Sequence, residues 1–360
     1  MKKRFFRIIS FLVLSASQVN GIENQNLKLE AMEKLDIIDP ECRTCRVFFL
    51  KFANTVNKYA FVTTVKSGRP YPQGKLWVIE ENNNKNLVYT AHTISSLEWS
   101  PTGRYLCFDA KNFQEPTILH VYDTFEDSLF EIQPITDIET GYGRWSADET
   151  KIAYTEISYF YDDDFNAERQ KRTAMIYEID TNERKRLIVG DPLAWNARGE
   201  ILILSISEKI GSTIVPYMWL FDLNKKEKTK KINLEHPRMM TLNRGGDKVV
   251  FEYSHWIAVY NLKTEEIIKF ENDEIFEGYT NPSWSPDGKK IAFTHFEERD
   301  EVFINENVWL AQLDGDQMIN LTDTGEGKNE KLIQWIRDGT IVIKVETPEE
   351  SFYAKTRLKK

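Results

Sequence analysis

The apolar residues of this chain fall in short strand-like runs, each closed by a turn. The clearest unit is Pro282-Ser283-Trp284-Ser285-Pro286-Asp287-Gly288-Lys289-Lys290-Ile291-Ala292-Phe293. A short strand ends at Trp284. Pro286 then presets φ, Asp287 caps its own backbone and Gly288 accepts positive φ, which are the requirements of a tight turn. Lys290-Ile291-Ala292-Phe293 reads as the returning strand. The same hairpin recurs from Leu97 to Phe108 and from Gly143 to Tyr154, with degenerate copies at Leu193-Ala194-Trp195, Met240-Thr241-Leu242 and Ile333-Gln334-Trp335. Two further strand-like runs follow the hairpin: Ala174-Met175-Ile176-Tyr177-Glu178 and Lys185-Arg186-Leu187-Ile188 after Tyr154, and Asn307-Val308-Trp309-Leu310-Ala311 and Gln317-Met318-Ile319-Asn320-Leu321 after Phe293.

The anchors Trp99, Trp145, Trp195, Leu242, Trp284 and Trp335 stand 46, 50, 47, 42 and 51 residues apart. Four strands in about 47 residues is the period of a propeller blade. The pattern therefore predicts an all-β fold, a β-propeller of four-stranded antiparallel blades. Residues 22–360 divided by that period give about seven blades. A hairpin from Val47 to Val62 would open the ring, and six blades result if residues 22–52 stay outside it. The last copy ends with Ser351-Phe352-Tyr353-Ala354 as a third strand, so a strand from residues 22–45 is expected to close the ring, with Asn26-Leu27-Lys28-Leu29 as the candidate.

The Trp284–Phe293 segment, with Leu313-Asp314-Gly315 and Ile319-Asn320-Leu321-Thr322 after it, resembles the repeat of TolB-like (WD-repeat-like) propellers. The resemblance runs over residues 45–356 and implies the propeller fold. It is a resemblance to the propeller alone: a full TolB carries an additional N-terminal domain, which the roughly 25 residues before Val47 would not supply. The same motif occurs in propellers attached to prolyl-oligopeptidase-type hydrolases, so it implies little about function.

The first 21 residues differ from the rest. Lys2, Lys3, Arg4 and Arg7 precede the mostly apolar stretch Ile8–Ala16, and Ser17 and Gly21 follow. This is the layout of a secretory signal peptide, and its apolar part is shorter than the ~20 residues that span a bilayer. The expectation is an exported protein, periplasmic or secreted, without membrane insertion. Removing the segment takes the formal charge from −9 to −9 − 4 = −13. So acidic a chain has no electrostatic reason to seek nucleic acid. Of three cysteines, Cys42 and Cys45 form a lone C-x-x-C that reads as a disulfide or a redox pair in an oxidising compartment, and Cys107 reads as a small core residue.

Catalytic signatures are missing from this sequence: no G-x-S-x-G, no H-E-x-x-H and no G-x-x-x-x-G-K-[ST] occurs. Of the five histidines, His92, His236 and His295 fall in segments predicted to share one face, so a divalent-metal site there is the alternative to an absence of cofactors. Two long loops on that face combine aromatics with carboxylates: residues 157–172, with Tyr159, Tyr161, Asp162, Asp163 and Asp164, and residues 296–303, starting at Phe296. Aromatic side chains are enriched in interface hot spots. Tyr142, Arg144, Arg238, Tyr279 and Asn281, beside the innermost strands, complete the candidate binding residues. The expectation is a protein- or peptide-binding module using this loop-rich face. The alternative is a metal-assisted lyase or hydrolase acting on a saccharide or peptide at the central pore.

Overall fold

The computed structural model describes residues 28–359, apart from 38–40, 42–44, 54, 65–72, 136, 163–166, 197, 211–212, 236, 254, 272–276, 300–301, 315–317 and 323–327. The segment 1–21 therefore lies outside the described residues. Seven four-stranded antiparallel sheets are arranged as a β-propeller. Their innermost strands are Arg46–Phe52, Thr93–Trp99, Glu139–Trp145, Asp191–Trp195, Pro237–Leu242, Glu277–Trp284 and Asn329–Trp335, for blades 1 to 7 in chain order. These seven strands touch one another in cyclic order, blade 7 meeting blade 1, and so line a central channel. Residues 46–52 belong to the ring, which settles its number at seven.

Blades 1 to 6 each consist of four consecutive strands, whereas blade 7 borrows one. Glu33–Leu35 pairs antiparallel with Ser351–Thr356, placing Lys34 opposite Ala354. The closing strand thus lies downstream of the predicted Asn26–Leu29, whose Leu29 instead makes an isolated bridge to Leu358. Ion pairs Lys34–Glu350 (2.6 Å) and Lys355–Glu33 (3.0 Å) flank the added strand.

The repeated turn works as its residues suggest. In blade 6 the Ser285 hydroxyl donates to Asp287 (2.6 Å) and accepts the Lys290 amide (2.9 Å), while Gly288 has φ +67°. In the degenerate blades 4 and 5, Asn196 and Asn243 replace the serine and accept the amides of Ile201 and Lys248 at 3.0 Å.

The recurring tryptophan joins blades. The indoles of Trp99, Trp145, Trp195 and Trp284 donate to the carbonyls of Lys51, Glu98, Arg144 and Thr241 on the preceding innermost strand, at 2.9–3.3 Å. Each such bond contributes about 1 kcal/mol. Blade 1 ends its innermost strand in Phe52, which has no such donor. There Gln334 of blade 7 supplies the link, accepting the Phe52 amide and donating to the Phe52 carbonyl, both at 3.1 Å. Apolar clusters fill the spaces between successive blades, as where Cys107 and Leu119 of blade 2 pack on Trp145 and Ile152 of blade 3.

Candidate functional site

Two faces result from this connectivity. One carries the tight turns between first and second strands and between third and outermost strands. The other carries the loops between second and third strands and the crossovers from blade to blade. On this loop face the predicted long loops turn out to be β-ribbons. In blade 3 the second and third strands are Lys151–Asp162 and Ala167–Glu178, paired throughout from Lys151–Glu178 to Asp162–Ala167. Blade 6 has Lys290–Arg299 with Val302–Gln312. Blade 4 has the comparable pair Ile201–Ile210 and Thr213–Asp222, which its degenerate repeat did not announce. Twelve residues against the seven of Tyr105–Lys111 in blade 2 extend the ribbon by about 16 Å. Alternating residues such as Ser158, Tyr159, Phe160 and Tyr161 let both strands continue past the sheet instead of looping.

Tyr159 and Tyr161 are exposed on the blade 3 ribbon, and Phe160 between them is 48% exposed. The Tyr159 hydroxyl donates to Glu139 (2.9 Å), at the start of the innermost strand. Asp162 is the last residue of its strand, and Asp163 and Asp164 lie outside the described residues.

Tyr142 sits in a bulge of the innermost strand of blade 3, with φ +60°. For a non-glycine residue this conformation needs outside support. Asp109 of blade 2 provides it, accepting the Tyr142 amide at 3.0 and 3.2 Å. Asp109 is buried, and burial pushes its carboxyl up to about 7, against the pull of Ser96, the Tyr142 amide, Arg144 and Arg172. The strand lies close here: a Cβ on Gly143 would fall 2.8 Å from the Cys107 sulfur. The Tyr142 ring is 41% exposed at the channel, and the Arg172 guanidinium stands 4.8 Å from its centre. Arg172 is itself fixed by Asp191, whose oxygens accept from Nε at 2.7 and 2.8 Å, and Asp191 also accepts from Thr155 (2.9 Å). Arg144 is half-buried: it donates to the carbonyls of Leu193 (3.1 Å) and Gly143 (2.9 Å), which ties it into the seam with blade 4.

The remaining predicted residues divide differently. Asn281 repeats the Tyr142 bulge in blade 6, with φ +52° and its amide on Glu252 of blade 5. Tyr279 is only 4% exposed, packed against Trp256, Phe293 and His295, and burial pushes its phenol up to about 12. Phe296 is 7% exposed beside His255. Both rings are therefore buried among other side chains of the blade stack. Arg238 pairs with Glu252 along the innermost strand of blade 5.

Sequence reasoning missed Phe48 and Phe49. They occupy the bulge of the innermost strand of blade 1 and are exposed at 59% and 44%. A signal existed, since Phe49 precedes Phe52 by the same three positions that separate Tyr142 from Trp145. Ile135, Ile138 and Val189, in and beside the crossovers flanking blade 3, are exposed as well. Exposed aromatic and apolar side chains thus occur on the innermost strands of blades 1 and 3, on the blade 3 ribbon and in its flanking crossovers.

Among the described residues the histidines form no metal-binding group. His295 bonds Glu277 (3.0 Å) and packs on Trp309, His92 lies against Phe113, and His236 is outside the described residues. Among the described residues no group of three or more His, Cys, Asp or Glu could hold a metal ion. Cys45 is disulfide-bonded, Cys42 lies outside the described residues, and Cys107 is free and buried. No helix among the described residues is long and apolar enough to cross a membrane.

No family model and no curated protein matches the chain. Solved structures do. TolB from Acinetobacter baumannii aligns at 15% identity over 70% of this chain, with a TM-score of 0.47, and the chain spans 61% of that protein. The β-propeller domain of the Trilobed protease from Pyrococcus furiosus aligns at 14% identity over 87% of this chain and 98% of its own, with a TM-score of 0.61. That domain is described as having an open velcro topology. A chain of the Mitotic Checkpoint Complex aligns at 12% identity over 97% of this chain and 98% of its own, with a TM-score of 0.56. At such identities the likeness is one of fold.

Proposed function

We propose that this chain is an exported binding propeller that engages a protein or peptide partner through its loop face. The observation that carries the reading is the exposed aromatic set Phe48, Phe49, Tyr142, Phe160 and Tyr161. Large exposed apolar patches mark interaction sites, and rigid aromatics lose little entropy when they anchor a partner. These side chains sit on strands rather than on irregular loops, and Tyr142 is fixed by Asp109 and Arg172. A propeller of the same fold within a multiprotein assembly is consistent with this use. Export rests on the basic and apolar layout of residues 1–21, and the disulfide at Cys45 suits an oxidising compartment.

The test is affinity capture from the native host with the wild-type chain and a Tyr142→Ser, Phe160→Ser variant. The partner is expected on the wild type and reduced at least tenfold on the variant. Equal capture by both would remove the aromatic face from the account.

A further inference from the structure

The turn face carries a second concavity, on the other side of the disc from the aromatic surface. The turns of blades 1 and 2, with Glu149 of blade 3, enclose a groove of about 870 Å³. This is within the range of small-molecule sites, roughly 300–1,000 Å³.

Both cations of the groove are committed to carboxylates, and Asp127 and Glu149 bond hydroxyls. Lys58 lies 2.9 Å from the Thr124 hydroxyl and 3.4 Å from Glu80. Arg104 grips Asp123 through Nε at 3.1 Å and Nη2 at 2.6 Å. Asp127 accepts the Tyr122 hydroxyl at 2.7 Å, and Glu149 accepts from the Thr102 hydroxyl at 2.8 Å. An anionic ligand meets Glu80, Glu81, Asp127 and Glu149 beside cations that are already paired, and a cationic ligand stacked on Phe125 meets Arg104 and Lys58 beside that ring. A neutral ligand escapes both penalties. What the groove offers such a ligand is hydrogen-bonding capacity: the exposed amides of Asn82, Asn84 and Asn86, and the second oxygens of the paired carboxylates.

The groove also holds an aromatic platform. Phe125 is 75% exposed, at the turn between the third and outermost strands of blade 2. The corresponding turns of blades 3, 4 and 5 carry Asp180, Asn224 and Lys263 at this position, so the fold does not require a ring there. Asp123 pins the turn by accepting the Phe125 amide at 2.9 Å. Arg104 and Lys58 lie 5.4 and 6.0 Å from the ring centre. A fixed, exposed ring beside planar amides matches a molecule with an apolar ring face edged by hydroxyls.

We propose that this groove binds a neutral oligosaccharide, with one sugar ring stacked on Phe125 and hydroxyls bonded to Asn82, Asn84, Asn86 and Asp127. The site is independent of the loop-face reading and shares no residue with it.

The test is calorimetric titration of the full chain with cellohexaose, maltohexaose, mannohexaose and chitohexaose. At least one is expected to bind with a Kd on the order of 10 µM to 1 mM. Phe125→Ala should weaken that sugar at least tenfold, Phe125→Tyr should retain it, and Asn84→Ala should weaken it severalfold. Circular dichroism of each variant confirms the fold. Absence of binding by all four sugars would overturn the proposal, and so would binding that survives Phe125→Ala.

Discussion

At the scale of single residues, Asp109 has the most testable consequence. Burial holds its carboxyl near 7 in the folded chain, above the ordinary 3.8, so the folded state keeps a proton that the unfolded state gives up. Its contribution to stability is therefore full below about pH 4 and is lost as pH rises through about 7. Asp109→Asn keeps an acceptor for the Tyr142 amide and removes the titration. Urea denaturation at pH 5 and pH 8 should show the wild type losing more stability than the variant, by ~1–4 kcal/mol at ~1.4 kcal/mol per pH unit. Parallel curves would show that the carboxylate is not strained. Tryptophan offers a second check. Trp145→Phe leaves the Glu98 carbonyl without its donor and should cost about 1–3 kcal/mol in the same assay. The anchors themselves were legible in the sequence, because a large aromatic recurs at a near-constant period. Their indole bonds were not, since each partner lies about 47 residues upstream on another blade and depends on the ring geometry. Tyr279 differs from Tyr142: although it also lies on an innermost strand, it is packed among Trp256, Phe293 and His295.

At the scale of elements, the expected loops prove to be paired strands, and one seam of the ring differs from the rest. The segments 157–172 and 296–303 were located correctly on the loop face but read as loops, because their mixture of aromatics and charges hides a period of two. Pairing of Tyr159 with Gln170 and Phe160 with Arg169 satisfies both backbones and makes a ribbon. The bulges of the innermost strands were likewise invisible, and they bring Phe48, Phe49 and Tyr142 to the channel. Gln334 links the seam between blades 7 and 1, where Phe52 stands in place of a tryptophan. Gln334→Ala should leave the Phe52 amide and carbonyl unpartnered and cost about 2–4 kcal/mol in denaturant unfolding. A cost below about 0.5 kcal/mol would mean that water takes over this link.

For the molecule as a whole, closure decides stability. Blade 7 is completed only by Glu33–Leu35, which brings the ends of the described chain together. A chain starting at residue 38 exposes the edge of Ser351–Thr356 and should melt at least 10 °C lower than the full chain, read by circular dichroism. The propeller was legible from the spacing of six anchors, while the choice between seven blades and six turned on residues 22–52, of which Arg46–Phe52 forms an innermost strand. The position of the closing strand was not legible, because three residues carry too little pattern to mark a strand. For function the sequence offers only a candidate face, since the fold hosts many uses and the site must be argued from its side chains. A partner docked on the aromatic loop face must lie within reach of Phe160, so a photo-crosslinking benzoylphenylalanine placed there, and in a separate chain at Ile268 on the outermost strand of blade 5, distinguishes the two surfaces when both chains are irradiated in the native host. A discrete crosslinked product is expected from position 160 and none from position 268. No product from 160, or products from both positions alike, would rule out docking on this face.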